Sequence, residues 1–256
     1  MRSLKGVRQL SMIHIEDRDE ARACAAAGID VLSIEDPIWD APMREAAGDC
    51  FVQVGLPYGR LQTTDDYLRA AHTAYLLGGD CVYCAASLQI VERLAAEGIP
   101  VVGHVGLIPS RRTWTGGFKA VGKTLDSATS VYQQVKALES AGAFAAEIEV
   151  VPERIAAEIS KRTSLVLFSM GAGAGCDGQY LFSVDVLGYT AGHQPRHAKV
   201  YRDFRAELDR LQRERVAAFA EFRADVEAGR YPQPDHNVAV ADDVYGEFVE
   251  SLDSAV

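Results

Sequence analysis

The chain has 256 residues, 48% of them hydrophobic, which is enough for one large α/β barrel or two small domains. Its formal net charge is -10 at pH 7, with 36 Asp and Glu residues against 26 Lys and Arg residues. Nucleic acids and anionic membranes both attract concentrated basic surfaces, so we expect neither as a partner.

The sequence has no apolar run that could cross a bilayer, and its first ten residues lack the apolar core of a signal peptide. The five cysteines are an odd number scattered through apolar segments, which predicts reduced thiols and a cytoplasmic location. Cys81 and Cys84 form a C-x-x-C pair. Without a second pair of matching spacing for zinc, we predict that both belong to the core.

Short β-branched runs alternate with Ala-rich amphipathic segments along most of the chain. Strands are predicted at residues 9–15, 30–34, 51–54, 81–83, 100–104, 145–150, 165–170 and 180–184. Helices are predicted between them at residues 19–27, 64–77, 88–96, 127–141 and 152–162. Eight such units fit a closed (β/α)₈ TIM barrel of the α/β class. The rival, an open doubly wound sheet, is disfavoured because no G-x-G-x-x-G turn follows the first strand.

The character of the sequence changes after Gly192. We predict a barrel core at residues 1–192 and a C-terminal helical extension with an acidic tail at residues 193–256, packed on the barrel within a single domain. The extension contains a charge-rich helical stretch at 196–229, whose apolar stripe is expected to pack on the barrel or on a neighbouring subunit. The tail at 235–256 is acidic and expected to be partly mobile.

Polar residues follow several predicted strands, at the end of the barrel where catalytic groups project. These residues are Asp17, Glu35, Asp36, Tyr83, His104, Glu147, Glu149 and Ser169. Glu147 and Glu149 are two apart on one strand and therefore share a face. If that face is the barrel interior, their crowding should raise the pKa of one carboxyl and suit it to moving a proton next to a carbonyl.

Each candidate also has a purely structural interpretation. Asp36 precedes Pro37 and could be a helix N-cap. His104 lies between two glycines, a poor setting for a core histidine, and Glu149 lies among apolar residues where an unpaired charge would be costly. Both therefore favour function. The glycine run at 171–175 follows the seventh strand, where barrels often bind anions through backbone N–H groups.

Several ordered segments resemble the ketopantoate hydroxymethyltransferase family. They are GIPVVGHVGLIP at 98–109, GGFKAVGKT at 116–124, AGAFA at 141–145, EVVP at 149–152, GAGAGCDGQ at 171–179, DVLG at 185–188, and GRYP at 229–232 with His236. The resemblance runs from about the first strand to His236. It is densest over residues 98–188.

The resemblance implies a (β/α)₈ barrel related to the phosphoenolpyruvate mutase and isocitrate lyase group, assembled as a homo-oligomer that is a decamer in the family. It implies hydroxymethyl transfer from methylenetetrahydrofolate to 3-methyl-2-oxobutanoate, a small 2-oxo acid, with Mg²⁺ chelating the acid. By position, Glu149 would be the proton-transferring base, His104 a group near the substrate, and Asp36 a metal ligand. Tyr83, Ser169, Gly171 and Gly173 stand at positions expected to contact substrate, as does Asp36.

The first half of the family pattern is altered. The family's GDS turn is EDP at 35–37, its second metal-binding aspartate is Gly55, and its VKLEGG segment is VYCAAS at 82–87. Loss of carboxylates should weaken Mg²⁺ binding, and loss of the lysine at Tyr83 removes a cation for the substrate carboxylate. Glu147 replaces an apolar family residue, and we hypothesise that it rebuilds part of a metal or proton-transfer site with Asp36.

Three alternative functions are therefore compatible with the sequence. The first is a hydroxymethyltransferase on the usual or an altered 2-oxo acid. The second is folate-independent C–C lyase or enolate chemistry in a specialised pathway, and the third is a non-catalytic paralog. Retention of His104, Glu149 and the glycine loop favours a catalytic member, and the first function is the main prediction.

Overall fold

The computed structural model describes residues 1–192 and 194–254. Eight parallel strands pair in chain order, and the eighth pairs with the first to close a barrel. The strands are β1 Leu10–His14, β2 Val31–Glu35, β3 Phe51–Gly55, β4 Cys81–Tyr83, β5 Val101–Gly106, β6 Ala145–Glu149, β7 Val166–Met170 and β8 Gly178–Phe182. This confirms the predicted (β/α)₈ fold.

Helices connect the strands outside the barrel, and their ends follow local sequence signals. They are α1 Arg18–Ala27, α2 Ala41–Ala46, α3 Thr64–Leu76, α4 Leu88–Ala96, α5 Leu125–Ser140, α6 Glu153–Ser160 and α7 Ser183–Val186. Asp17 caps α1 by accepting hydrogen bonds from the backbone N–H groups of Asp19 and Glu20. The helix ends at Gly28, whose φ of 74° is costly for other residues.

The interior of the barrel is divided into an apolar lower part and a polar upper part. Leu10, Met12, Val102, Val166 and Phe168 are among the buried residues that fill the lower part. A second apolar cluster covers the outer strand faces and packs against the helices. Because the lower interior is closed by side chains, polar groups near the strand ends face an opening on one side only.

Two predicted boundaries are corrected, and one helix is added to the predicted set. The last strand ends at Phe182, not 184, because residues 183–186 form α7. Between β2 and β3, where no helix was predicted, the chain forms α2, capped by the Asp40 side chain at the N–H of Met43. The long C-terminal helix, α8, spans Phe204–Glu227, so residues 196–203 of the predicted helical stretch are not helical.

Contacts divide the chain into two units, Met1–Asp203 and Phe204–Val256. The first contains the barrel. In the second, α8 and α9 (Asp242–Asp253) are joined through a segment with a short 3₁₀ turn at Pro234–His236. Among the described residues, no helix is both long and apolar enough to span a membrane.

Candidate functional site

A cavity of about 1450 Å³ opens at the carboxyl ends of the strands. Strand-end residues line it: Glu35, Gly55, Tyr83, Glu149, Met170 and Phe182. This is the end of a (β/α)₈ barrel where parallel strands present catalytic groups. The cavity therefore lies where the sequence placed the functional residues.

His104 is a buried residue of the cavity wall that lies between two carboxylates. Its Nδ1 is 3.4 Å from Oε2 of Glu147, and its Nε2 is 3.2 Å from Oε2 of Glu149. Its Nε2 also donates to the carbonyl oxygen of Leu107 at 2.8 Å. Burial alone would lower the pKa of His104, but the hydrogen bonds to Glu147 and Glu149 outweigh it and raise the pKa to about 9. The imidazole therefore carries a positive charge at neutral pH.

The two glutamates of β6 share the interior face, as their spacing predicted. Glu147 is buried and is held from below by Gln53, whose Nε2 donates to Glu147 Oε1 at 2.8 Å. Glu149, at the end of the strand, has a side chain 13% exposed, against 5% for Glu147. The deeper carboxylate is thus fixed by protein partners, whereas Glu149 is more open to a bound molecule.

Tyr83 completes the group around His104. Its hydroxyl is 2.9 Å from His104 Nδ1, and the two rings meet edge to face with centroids 5.9 Å apart. Burial, followed by the charge of Glu147, raises the pKa of Tyr83 well above its usual value. Tyr83 is therefore a neutral hydroxyl group in the cavity, where the family pattern has a lysine.

Below this group, a second polar layer supports the floor. Ser33 Oγ lies 3.3 Å from His14 Nδ1 and 3.4 Å from Gln53 Nε2. Burial lowers the pKa of His14, which favours its neutral form. The parallel register pairs Ser33 with His14 on one side and with Gln53 on the other, so three neighbouring strands build the layer.

Glu35 adds a third carboxylate to the cavity. It pairs in register with Gly55 on β3, and a Cβ placed on Gly55 would lie 3.1 Å from Glu35 Oε2. No described residue donates a hydrogen bond to this carboxylate or forms an ion pair with it. Burial, followed by the charge of Glu147, raises the pKa of Glu35. A raised carboxyl pKa, which we expected from crowding within the β6 pair, is found here on Glu35 of β2, and its largest cause is burial.

The backbone beyond β6 turns sharply at the cavity wall. Val150 has φ 48°, a left-handed conformation that is rare for a β-branched residue and costs about 1–3 kcal/mol. The turn is held by hydrogen bonds from the Val150 N–H to the Met170 carbonyl, at 2.8 Å, and from the Val121 N–H to the Val150 carbonyl, at 3.1 Å. It fixes the direction in which the chain leaves Glu149.

Three cationic side chains, Lys119, Lys123 and Arg196, line the exposed rim of the cavity together with His197. Lys119 and Lys123 come from the loop before α5, and the other two from the segment after α7. His197 packs against the glycine loop, where a Cβ on Gly171 would lie 2.9 Å from His197 Nδ1. The three Lys and Arg side chains form no ion pair with a described residue. The cavity therefore has an acidic floor and a basic rim.

The predicted site residues fall into two groups. His104, Glu147, Glu149, Tyr83, Gly171 and Gly173 line the cavity. Asp36 and Ser169 are not among its lining residues. Asp36 lies in a 3₁₀ turn after β2, and Ser169 is buried, with its Oγ accepting from the backbone N–H of Ala172 at 3.1 Å. Ser169 thus shapes the glycine loop from behind.

Cys81 and Cys84 are free and buried, as predicted for core residues. Burial raises the pKa of both thiols, to about 11 for Cys84, so neither is a reactive thiolate at neutral pH. Among the residues that the structure describes, no group of three His, Cys, Asp or Glu side chains is arranged to hold a metal ion.

Six further residues that line or support the cavity were not predicted from the sequence: His14, Ser33, Gln53, Tyr180, Arg196 and His197. Ser33 and Gln53 are polar residues inside otherwise apolar strands, and this was the signal that could have revealed them. Arg196 and His197 carry no such signal, because the sequence assigned them to the charged face of a helix.

Comparisons with known proteins agree with this architecture. The profile of the family described as ketopantoate hydroxymethyltransferase matches residues 39–234. A 3-methyl-2-oxobutanoate hydroxymethyltransferase from Deinococcus radiodurans is 34% identical over 92% of this chain and 89% of its own length. One from Cenarchaeum symbiosum is 36% identical over 74% of this chain and 71% of its own.

A solved structure from Burkholderia cenocepacia, titled as a phosphonomutase, shares the fold. Its TM-score is 0.53 at 16% identity, over 70% of this chain and 89% of that one. Together with the profile match, which spans most of the barrel and continues beyond it, these similarities confirm the resemblance noted in the sequence. The chain belongs to the ketopantoate hydroxymethyltransferase family of enzymes.

Proposed function

We propose that this enzyme transfers a hydroxymethyl group to the enolate of a 2-oxo acid, with 3-methyl-2-oxobutanoate or a close relative as substrate. The relatives named for this reaction support the class. The observation that carries the proposal is Glu149, a partly buried carboxylate that lines the cavity and lies against a charged imidazole. Retention of this pair favours catalysis, and no observation favours the lyase or the non-catalytic alternative.

Glu149 is the base that removes the proton from C3 of the 2-oxo acid. Proton abstraction next to a carbonyl needs a carboxylate within reach of the substrate, and Glu149 lines the cavity. His104 orients this carboxylate and offsets the combined negative charge of Glu147 and Glu149. Glu147 therefore acts through His104 as a positioning residue, and its pairing with Gln53 supports that role.

The basic rim binds the carboxylate of the substrate. The family pattern supplies a lysine from β4, but this chain has Tyr83 there, so the cation must come from elsewhere. Lys119, Lys123 and Arg196 are the candidates that line the cavity without an ion-pair partner among the described residues. Charge-assisted hydrogen bonds from such groups are about twice as strong as neutral ones.

The one-carbon donor is methylenetetrahydrofolate or another donor at the oxidation level of formaldehyde. A cavity of about 1450 Å³ is larger than the roughly 300–1,000 Å³ of a single small-ligand site. The size therefore supports binding of a 2-oxo acid together with a larger co-substrate. The open mouth beside Phe118 and the rim lysines is where the larger molecule would enter.

The described side chains do not fit a resident Mg²⁺ ion. Mg²⁺ requires close to six oxygen ligands at about 2.0–2.1 Å, commonly with one or two carboxylates. Here Glu147 accepts a hydrogen bond from Gln53 and forms an ion pair with His104, and Glu149 forms a second ion pair with His104. Asp36 does not line the cavity. Glu147 and Asp36 therefore do not support the hypothesised rebuilt metal site.

A cytoplasmic homo-oligomer is the setting that we propose for this activity. The reduced, buried cysteines agree with a reducing compartment. In the second unit, α8 exposes Leu208, Leu211, Phe219 and Phe222, and exposed apolar residues of this kind are typical of subunit contacts.

Proton NMR of 3-methyl-2-oxobutanoate in D₂O with the purified enzyme tests the proposal. Loss of the C3–H signal at a rate that depends on enzyme concentration would show enolisation, and the Glu149→Gln variant should abolish it. If the wild-type enzyme leaves this signal and those of other 2-oxo acids unchanged, the proposed function is wrong.

A further inference from the structure

The hydrogen-bond pattern around His104 leaves one proton of the cavity floor without an acceptor. A carbonyl oxygen only accepts, so the contact between His104 Nε2 and the Leu107 carbonyl places a proton on Nε2. On the other side, Nδ1 faces a carboxylate and the Tyr83 hydroxyl. With the imidazole charged, Nδ1 also donates, and Tyr83 Oη accepts.

Tyr83 must then direct its own proton elsewhere. The hydroxyl has one proton, and the described residues offer it no acceptor other than the charged His104, which cannot accept. Tyr83 lines the cavity, so the open direction for this proton is towards a bound molecule. A buried donor that is left without a partner costs about 1–3 kcal/mol, which a ligand oxygen would recover.

We propose that the Tyr83 hydroxyl donates the hydrogen bond that stabilises the enolate oxygen of the bound 2-oxo acid, with the His104 imidazolium behind it. The inference rests on the proposed function and makes Tyr83 a catalytic residue of that reaction. Removal of the C3 proton by Glu149 sends the electron pair of the C–H bond into a C2–C3 double bond. The C2=O π electrons move to oxygen, where Tyr83 holds the negative charge.

The later steps use the same groups. The enolate carbon attacks the one-carbon electrophile, such as formaldehyde, and the C2=O bond forms again. The new alkoxide takes the proton that Glu149 removed, so that atoms and charge balance over the cycle. The hydrogen bond from His104 Nδ1 holds Tyr83 with its proton directed at the oxygen on which negative charge develops, so this contact strengthens in the transition state more than with the neutral substrate.

The test compares the wild-type enzyme with Tyr83→Phe and with the control Tyr132→Phe. Tyr132 lies on α5 outside the cavity, so its variant loses the same hydroxyl without touching the floor. Removal of one such donor in other enzymes costs about 10²–10³ in rate. We expect C3–H exchange to fall by about that factor in Tyr83→Phe and to be unchanged in Tyr132→Phe.

Binding of oxalate, a planar mimic of the enolate, gives a second measurement that does not need turnover. Calorimetry should show oxalate bound at least about 10-fold more weakly by Tyr83→Phe, with the affinity for 3-methyl-2-oxobutanoate changed less than about 3-fold. Equal weakening of both ligands, or unchanged C3–H exchange in Tyr83→Phe, would overturn the role of Tyr83 and leave the proposed function standing. No exchange by the wild-type enzyme would overturn the proposed function and this role with it.

Discussion

The carboxylate of Glu35 occupies the space that a side chain on Gly55 would need. The two residues pair across β2 and β3, and the three atoms nearest to a Cβ on Gly55 all belong to the Glu35 carboxylate, at 3.1 to 3.3 Å. The family pattern has an aspartate at Gly55 and a glycine at Glu35. Compared with that pattern, the acidic residue is on β2 instead of β3, and its carboxylate lines the same cavity.

This relationship predicts that Gly55→Ala acts through Glu35. The added methyl group would push the carboxylate out of place, and we expect turnover to fall by about 10-fold, a shift of about 1.4 kcal/mol in the activation free energy. The control is Gly246→Ala on α9, where a Cβ meets nothing within 4 Å.

A double-mutant cycle separates this mechanism from a general packing defect. In a Glu35→Ala background the methyl group at position 55 has no carboxylate to displace, so adding Gly55→Ala should cost little further activity. Additive losses in the double variant would contradict the prediction, because they would mean that Gly55 matters independently of Glu35.

Asp36 was predicted as a site residue, but its neighbour Glu35 is the acid that lines the cavity. The sequence alone does not determine which of the two enters it. Successive residues of a strand face opposite sides, so a shift of one residue in the end of β2 changes which acid enters the cavity. That end is set by pairing with β3, through Glu35 and Gly55, and no local signal in the sequence reveals this register. Glu147 and Glu149 were placed correctly because their spacing determines a shared face wherever the strand ends.

The accuracy of the predicted element boundaries also depends on whether a local signal marks the end of the element. Helix α4 was predicted at its observed boundaries, where a glycine follows its end and, in the structure, the Ser87 side chain caps its start. The end of the last strand was predicted two residues too late because α7, only four residues long, has no side-chain cap at its N-terminus that would mark its start. Residues 196–203 were assigned to a helix from charge and spacing alone, although they form part of the first unit, with Arg196 and His197 at the cavity.

The charged state of His104 predicts a pH dependence of stability. Its pKa is raised to about 9 in the folded protein, against about 6.5 for an unperturbed histidine. A raised pKa means that the stabilisation is fully present below about pH 6.5 and is lost as the pH rises through 9. The free energy of unfolding of the wild-type protein should therefore fall between pH 7 and 10 more steeply than that of His104→Gln.

His72→Gln on the exposed side of α3 is the matched control and should leave the pH profile unchanged. Histidine NMR would measure the same property directly, through the titration of the His104 ring protons. A titration midpoint near 6.5 would show that the imidazole is not stabilised in its charged form by Glu147 and Glu149.

The basic rim predicts a specific pattern of kinetic change. Lys123→Ala and Arg196→Ala each remove a cation from the mouth of the cavity while leaving the acidic floor intact. We expect the KM for the 2-oxo acid to rise by about 10-fold with a smaller change in kcat, since the lost contact binds substrate and transition state alike. Added salt should reduce the difference in KM between wild type and variant.

The control is Lys161→Ala, at the exposed end of α6, which should behave like the wild type. An equal rise in KM in Lys161→Ala would show that the effect is one of overall charge.

Titration of Mg²⁺ into the protein alone should show no binding tighter than millimolar. The carboxylates of Glu147 and Glu149 are already arranged around the charged His104, and a divalent ion would have to compete with that imidazolium. Glu35 is then the one acid of the floor without a partner among the described residues, and a single carboxylate is a weak Mg²⁺ ligand. Calorimetry should compare the Mg²⁺ affinity of the wild-type enzyme with that of His104→Gln. Loss of the cation frees both glutamates and should strengthen Mg²⁺ binding. Micromolar binding by the wild-type protein would mean that these glutamates leave His104 to form a metal site.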